Sequence, residues 1–447
     1  MNKVKSLLQG IGIFVGTLLL LWLFLIAAAA IPNHALQKNM EKSAVFYTKS
    51  EAFAFCDKDK MNGIADNFAD SIWVNVAWYM GKGNPIVSSI DTMYYDGEGR
   101  GQNEGLYEAV TDEMQKGNTD YTRYWHGTAG VIRILHLFTD VNGIKYLGLI
   151  TALSLAAVIM ILLIREGKDV LAITFAVSIC AVKIWNISLS MEYQPAFILS
   201  FLFCILYLRF EKKGNKYLNF LSIVGGTATA FFDFLTTETM VILLPLILVI
   251  TVRTLDGRLE TWKSSFKFIF IQGMVWGISY GAAIFIKWLL ATVLTGENKF
   301  ALALFTAKER VNGTIYLHGS ENMFLQRWNA LAANLTALFD GTERIEDIPL
   351  KAGIILLVMF DMIFVMCMLK TRKESQTAKI ALKTGQERQT VTVMLFLLGF
   401  IVIFRYMVLS NHSYLHAFFT YRGLVSLIMA MLSVIVVNFN NKVQREN

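Results

Sequence analysis

Charge is scarce in this sequence. Asp, Glu, Lys and Arg make up only 17% of its 447 residues, 55% are hydrophobic, and the mean hydropathy is +0.48. A chain so poor in charge cannot cover a water-soluble surface, so its solvent is the bilayer and it reads as an all-α polytopic membrane protein. Cysteine is scarcer still. Cys56, Cys180, Cys204 and Cys367 are scattered and form no CxxC pair, which argues against a disulfide framework and a zinc-thiolate site. There is no glycine-rich phosphate loop and no HExxH motif. A basic arm is also missing. The net charge of +7 is spread over short connections, as membrane topology requires, so nucleic acid is not expected as a partner.

What the sequence has in quantity is apolar runs. A span needs about 20 apolar residues, and ten candidates occur: Leu7 to Ile31, Tyr146 to Ile164, Val170 to Ser190, Pro195 to Leu208, Leu218 to Leu235, Met240 to Val252, Phe268 to Leu294, Ala352 to Leu369, Val391 to Leu409 and Gly423 to Val437. The first follows Lys3 and Lys5 and ends in AAAA, as a signal peptide would, but its apolar run exceeds a signal h-region and reads as a retained anchor. With a cytoplasmic N-terminus, 20 Lys and Arg fall in the short cytoplasmic segments, whereas residues 32–124 hold 9 basic against 14 acidic residues. The positive-inside rule then places both termini in the cytoplasm, in a multi-pass protein of the cell membrane. The expected organisation is a first transmembrane helix (1–31), an extracytoplasmic first loop (32–143), a core of helices two to seven (144–295), a second extracytoplasmic loop (296–349), and three last helices with a short cytoplasmic tail (350–447).

The first loop carries two segments with apolar residues at helical spacing, KNMEKSAVFYTKSEAFAF and DNFADSIWVNVAWYM, which suit amphipathic helices lying along the membrane interface. Asp66 is placed to cap the second, and Asp70 follows one turn later on the same face. Residues 81–105 are rich in Gly and Asp and read as a flexible crossing loop. The segment after it reads as another interfacial helix, with Tyr124, Trp125 and Arg133 at headgroup level.

All six histidines, His34, His126, His136, His318, His412 and His416, fall on the expected outer side. So do Asp233 and Glu238 in FFDFLTTETM, Glu192 in SMEYQ, Arg405 at the outer end of the ninth run, and Arg422 in NHSYLHAFFTYRG. Isolated charges in a bilayer cost several kcal/mol and face cavities or partners, which makes each a candidate; Lys183 and Lys287 can instead snorkel. Asp361, expected to be buried near the middle of the eighth run, has no evident partner. The 295–349 loop is read as closing over the outer cavity or selecting an acceptor.

The order of one span, a long outer loop with an early acidic motif, and a polytopic core resembles the GT-C class of membrane glycosyltransferases, which includes the protein O-mannosyltransferases. DNFAD, RYWHG, FFDFLTTE and NHSYLHAFFTYRG resemble stretches of GT-C-like membrane proteins of Gram-positive bacteria. The resemblance implies transfer of a sugar from a polyprenyl-phosphate donor to an acceptor outside the cytoplasm, either a surface glycan such as teichoic acid or a protein. It further implies that a first-loop carboxylate, Asp66 or Asp70, is the general base. Neither has an adjacent Glu, where several members of the class carry an Asp-Glu pair, so both stay open. The leaving phosphate needs cations, for which Arg123, Arg405, Arg422 and His412 are candidates. Trp125 and His126 are candidates for sugar or phosphate binding, and Asp233, Glu238 and His416 for the same donor site. A divalent cation on the carboxylates is compatible with this chemistry, but no spacing demands one. Two other readings share the topology. An O-antigen ligase-like or polymerase-like enzyme would rely on outer-loop His and Arg, and a lipid-linked glycan flippase or transporter would show an internal repeat and midplane sites, neither of which is evident.

Overall fold

The structure, a computed structural model, describes residues 2–112, 114–233, 235–259, 261–311, 313, 322–375 and 379–439. It is about 78% helical with no closed sheet, an all-α membrane architecture. The helices are α1 (Asn2–Ala29), α2 (Gln37–Thr48), α3 (Asn67–Tyr79), α4 (Pro85–Ser88), α5 (Gln102–Thr111), α6 (Gly127–Leu135), α7 (Val141–Arg165), α8 (Asp169–Ala181), α9 (Gln194–Phe210), α10 (Asn215–Phe232), α11 (Met240–Leu255), α12 (Trp262–Thr295), α13 (Lys299–Val311), α14 (Met323–Leu338), α15 (Asp347–Ser375), α16 (Lys379–Val408), α17 (Ser410–Leu415), α18 (Ala417–Thr420) and α19 (Val425–Phe439). Two short antiparallel ribbons accompany them, β1 (Phe53–Phe55) with β2 (Ile64–Asp66) and β3 (Met93–Tyr94) with β4 (Thr119–Asp120).

Each of the ten apolar runs forms helix, but among the described residues only seven stretches are long and apolar enough to cross a membrane. These are Val4–Ala29, Val141–Arg165, Met191–Lys213, Trp262–Thr295, Asp347–Thr371, Gln386–Val408 and Ala417–Phe439. The expected count of ten is therefore corrected. α8 has 13 residues and ends just before Lys183 enters the left-handed region at φ 53°. α11 has 16 residues, about 24 Å of helix against a hydrocarbon core of about 30 Å. α10 reaches 18 residues, but Gly225, Gly226, Thr227 and Thr229 break its apolar side. Gly226 is needed there: a Cβ would lie 2.2 Å from the Trp276 carbonyl oxygen of α12.

The buried apolar residues form two clusters. One is built by α7, α8, α9, α11, α14, α16 and α19; the other joins α1 to the first loop and to Ala283 and Ala291 of α12. α2 is amphipathic as expected, burying Met40, Ser43, Ala44 and Tyr47. α3 is not an interfacial helix. Nearly every residue from Asn67 to Tyr79 is buried, and its polar side chains are bonded inward, Ser71 to Asn103 at 2.6 Å and Asn75 to the Tyr95 carbonyl at 2.9 Å. It is the core helix of the loop, because a helix apolar on several faces must be covered on all of them.

Residues 81–105 are ordered by α4, by the β3–β4 pairing and by Asn118, which bonds Asp96 at 2.8 Å. Trp125 and Arg133, expected at headgroup level, are fully buried. Arg133 donates to the carbonyls of Ala28 and Ala77 at 2.8 Å each and to that of Ile31, capping the end of α1 and tying it to α3. His136 is likewise structural, held between the Ile132 carbonyl and Ser43, and burial lowers its pKa to about 4.

Candidate functional site

The first loop delivers Asp66 by strand and then by helix. β1 pairs with β2 in the register Phe53 to Asp66, and Asp66 then caps α3, its Oδ1 accepting from the Ala69 N–H at 2.8 Å. Asp66 is 2% exposed. Burial, reinforced by the charge of Asp70 and opposed by the Ala69 N–H and Lys145, pushes its carboxyl up to about 7. Its carboxyl is also in hydrogen-bond contact with Glu192, which requires a proton on one of the two.

Asp70 is arranged differently. Its Oδ1 accepts from Ser190 Oγ at 2.7 Å and the Met191 N–H at 2.9 Å. Its Oδ2 accepts from Tyr47 Oη at 3.2 Å and is ion-paired with Lys145 at 2.8 Å. With both oxygens engaged twice, Asp70 fixes the 190–193 turn, and that turn carries Glu192 to Asp66. Glu192 is 7% exposed, and among the described residues its Oε2 has no hydrogen-bond partner.

A second group comes from the turn after α10 and the end of α16. Asp233 is buried and accepts from the Thr236 N–H at 3.1 Å and from the Thr236 hydroxyl. Burial, with Glu238 nearby, pushes its carboxyl up to about 7. Glu238 is gripped by Arg405 through two bonds of 2.7 Å. Arg405 also reaches the carbonyls of Leu235 (2.5 Å) and Thr236 (3.2 Å), while its Nη1 has no partner among the described residues. Leu235 sits in the left-handed region at φ 64°, a strained position for a non-glycine residue. His412 holds the same carbonyl through Nε2 at 2.9 Å.

Arg310 of α13 links the histidines. Its Nη1 lies 2.7 Å from His412 Nδ1 and 3.1 Å from His416 Nε2. Burial, followed by the charge of Arg310, holds both imidazoles well below their ordinary pKa, so both are neutral acceptors. Arg310 and Asp233 lie within electrostatic range of Glu192, together with Asp66 and Asp70, so the two groups form one cluster.

Beside this cluster opens a cavity of about 1090 Å³. Phe53, Phe55, Phe68, Phe305, Tyr414 and Phe418 give it an aromatic wall, and Arg123, Arg310 and Arg344 a cationic one, with the neutral His416 alongside. Ile64 and Phe68, which flank Asp66 in sequence, line it, whereas Asp66, Glu192 and Asp233 do not. Arg123 stacks on Tyr121 at 4.2 Å and its Nε has no partner among the described residues. Burial would raise the Tyr124 phenol, but Arg310 and Arg123 bring it below its usual range. Arg422, 1% exposed, stacks on Tyr193 at 4.2 Å and donates to the Phe418 carbonyl at 3.2 Å, leaving Nε and Nη2 without partners among the described residues.

Of the residues singled out in sequence, Asp66, Asp70, Asp233, Glu238, Arg405, His412 and His416 meet in this cluster, with Arg123 at the cavity and Arg422 beside Tyr193. Trp125 does not join them: it is packed on Phe231 and bonded to the Ala283 carbonyl at 2.8 Å. His126, left-handed at φ 59°, lies 2.6 Å from the Tyr121 carbonyl and supports the turn that presents Arg123. His318 lies outside the described residues. Arg310 was missed because TAKER reads as one more solvated loop; its amphipathic spacing is the signal that places it on a helix. Lys145 and Tyr47, the partners of Asp70, carry no local signal. Among the described residues no group of three or more His, Cys, Asp or Glu is arranged to hold a metal ion. No family model matches the chain, and neither a curated protein nor a solved structure is detectably similar to it.

Proposed function

We propose that this protein is a GT-C-like membrane glycosyltransferase that moves a sugar from a polyprenyl-phosphate donor onto a hydroxyl of an extracytoplasmic acceptor, a surface glycan or a protein. The reading keeps both termini in the cytoplasm and the first loop outside. One observation carries it: a buried carboxyl, Asp66, raised to about 7 and held beside a cavity with aromatic and guanidinium walls. A sugar hydroxyl is a poor nucleophile. Asp66 accepts its proton as the new C–O bond forms and the bond from the anomeric carbon to the phosphate oxygen breaks, a contribution of roughly 10²- to 10⁴-fold.

The leaving group is a polyprenyl phosphate. Its developing charge calls for cations, and the donors on Arg123, Arg405 and Arg422 that have no partner among the described residues, together with Arg310, are suited to it. Neutral His412 and His416 aim Arg310. Asp70 positions Glu192 and, through it, the proton shared with Asp66. The aromatic wall suits sugar faces and isoprenoid chains.

The test is sugar transfer from a polyprenyl-phosphate sugar by purified protein. Asp66→Asn is expected to lose at least 100-fold in kcat, with folding intact. If Asp66→Asn keeps full activity while His412→Ala and Arg422→Ala are dead, the ligase-like alternative replaces this one. Wild-type protein that translocates the lipid-linked sugar without transferring it would point to a flippase.

A further inference from the structure

Asp361 lies fifteen residues into the 25-residue span Asp347–Thr371, within about one helical turn of its middle. The sequence led us to expect it buried; it is exposed on the outward face of α15, between Val358 (49% exposed), Met362 (56%) and Val365 (51%). Among the described residues it makes no hydrogen bond and no ion pair. Three other charges within the spans are treated differently. Lys145 is paired with Asp70, Arg405 with Glu238, and Lys287 donates to the Ile90 carbonyl, all of them buried. An aspartate cannot snorkel as lysine and arginine do, because its carboxyl is one methylene from the backbone and about 15 Å from the nearer end of the span. Lipid alone is therefore a poor neighbour for it.

We infer that this face of α15 docks a transmembrane helix of a different protein that carries a Lys, Arg or His at mid-membrane depth, opposite Asp361. A second copy of the chain does not fit. Among the described residues no span offers an exposed cation near its middle, since Lys287 and Arg405 are both buried. The methionines around Asp361 suit the role, because a flexible thioether repacks against a partner at little cost. This inference does not depend on the glycosyltransferase reading.

The experiment uses the full-length chain with Cys180→Ser in phosphatidylcholine vesicles, dye-labelled at Cys56, since Cys56 and Cys180 are the exposed cysteines among the described residues. Labelled 23-residue Leu/Ala transmembrane peptides with either Lys or Leu at the centre are added, and association is read by energy transfer. The Lys peptide is expected to bind about threefold to thirtyfold more tightly than the Leu peptide, the range of interhelical polar contacts in membranes. Asp361→Leu, which places an apolar residue against lipid and leaves the fold intact, is expected to abolish that preference. Equal binding of the two peptides by wild type overturns the inference, as does a preference that survives Asp361→Leu. Self-association of the chain that Asp361→Leu removes also overturns it, in favour of two copies sharing a proton.

Discussion

Asp66 and Asp70 are one helical turn apart, yet their surroundings assign them different work. Asp66→Asn retains an N-capping side chain, so activity is expected to collapse while the unfolding temperature in detergent does not fall below that of wild type. Asp70→Asn leaves Lys145 buried without its counter-ion, at a cost of about 3–5 kcal/mol, and should show first as a lowered unfolding temperature. The raised carboxyl of Asp66 also sets a pH dependence. A base must be ionised to act, so kcat/KM should rise with pH through about 7 and not through the ordinary carboxylate range near 4. Asp233 rises to a similar value, and Asp233→Asn separates the two: the limb stays in place if Asp66 is its source. For stability the sign is opposite. The folded-state pKa of Asp66 lies above the unfolded one, so its contribution is fully present below about 3.8 and lost as pH rises through about 7; Asp66→Asn should remove that loss.

Elements meet at a few close approaches that a single side chain can spoil. The α10–α12 contact depends on Gly226, where even a Cβ collides with backbone that cannot swing aside. Gly226→Val is therefore expected to destabilise by about 1–3 kcal/mol or more, measured as loss of folded monomer on heating. The clamp between the first loop and the turn after α14 is polar. Asp340 is paired with Lys183, with Lys60 at 3.2 Å and with Asn62 at 2.8 Å; burial would raise its carboxyl, but these partners bring it down to about 2. Asp340→Ala should free the β1–β2 ribbon and raise its protease susceptibility, a loss Lys60→Ala alone should produce only weakly. Sequence reading found helices reliably here because apolar runs and caps are local. It misjudged α3, whose Ser71 and Asn75 look like a polar face but are buried and bonded to Asn103 and the Tyr95 carbonyl.

At the scale of the molecule, topology can be tested with the native cysteines. Cys56 in the first loop and Cys180 at the end of α8 are exposed, while Cys204 and Cys367 are buried. A membrane-impermeant maleimide applied to intact cells that express the Cys180→Ser variant is expected to label Cys56; labelling only after permeabilisation would invert the orientation. The first-loop carboxyls and the side chains of Glu192, Asp233, Glu238, Arg310, Arg405 and His412 converge whichever way the chain faces, because the bonds that gather them, Asp70 to Ser190 and Lys145, Glu238 to Arg405 and Arg310 to His412, lie within the chain itself.

The sequence by itself determined the class of solvent, the helical character of every apolar run, the acidic first loop and most of the side chains that cluster, since scarce charge in an apolar chain marks its own exceptions. Only the tertiary structure decided which aspartate is clamped and which is not, that Arg310 sits between two neutral histidines, that Trp125 belongs to the core, and that Asp361 faces outward. Those properties depend on partners tens to hundreds of residues away, Lys145 for Asp70 and His412 for Arg310, and no local pattern of hydropathy or charge encodes a distant neighbour.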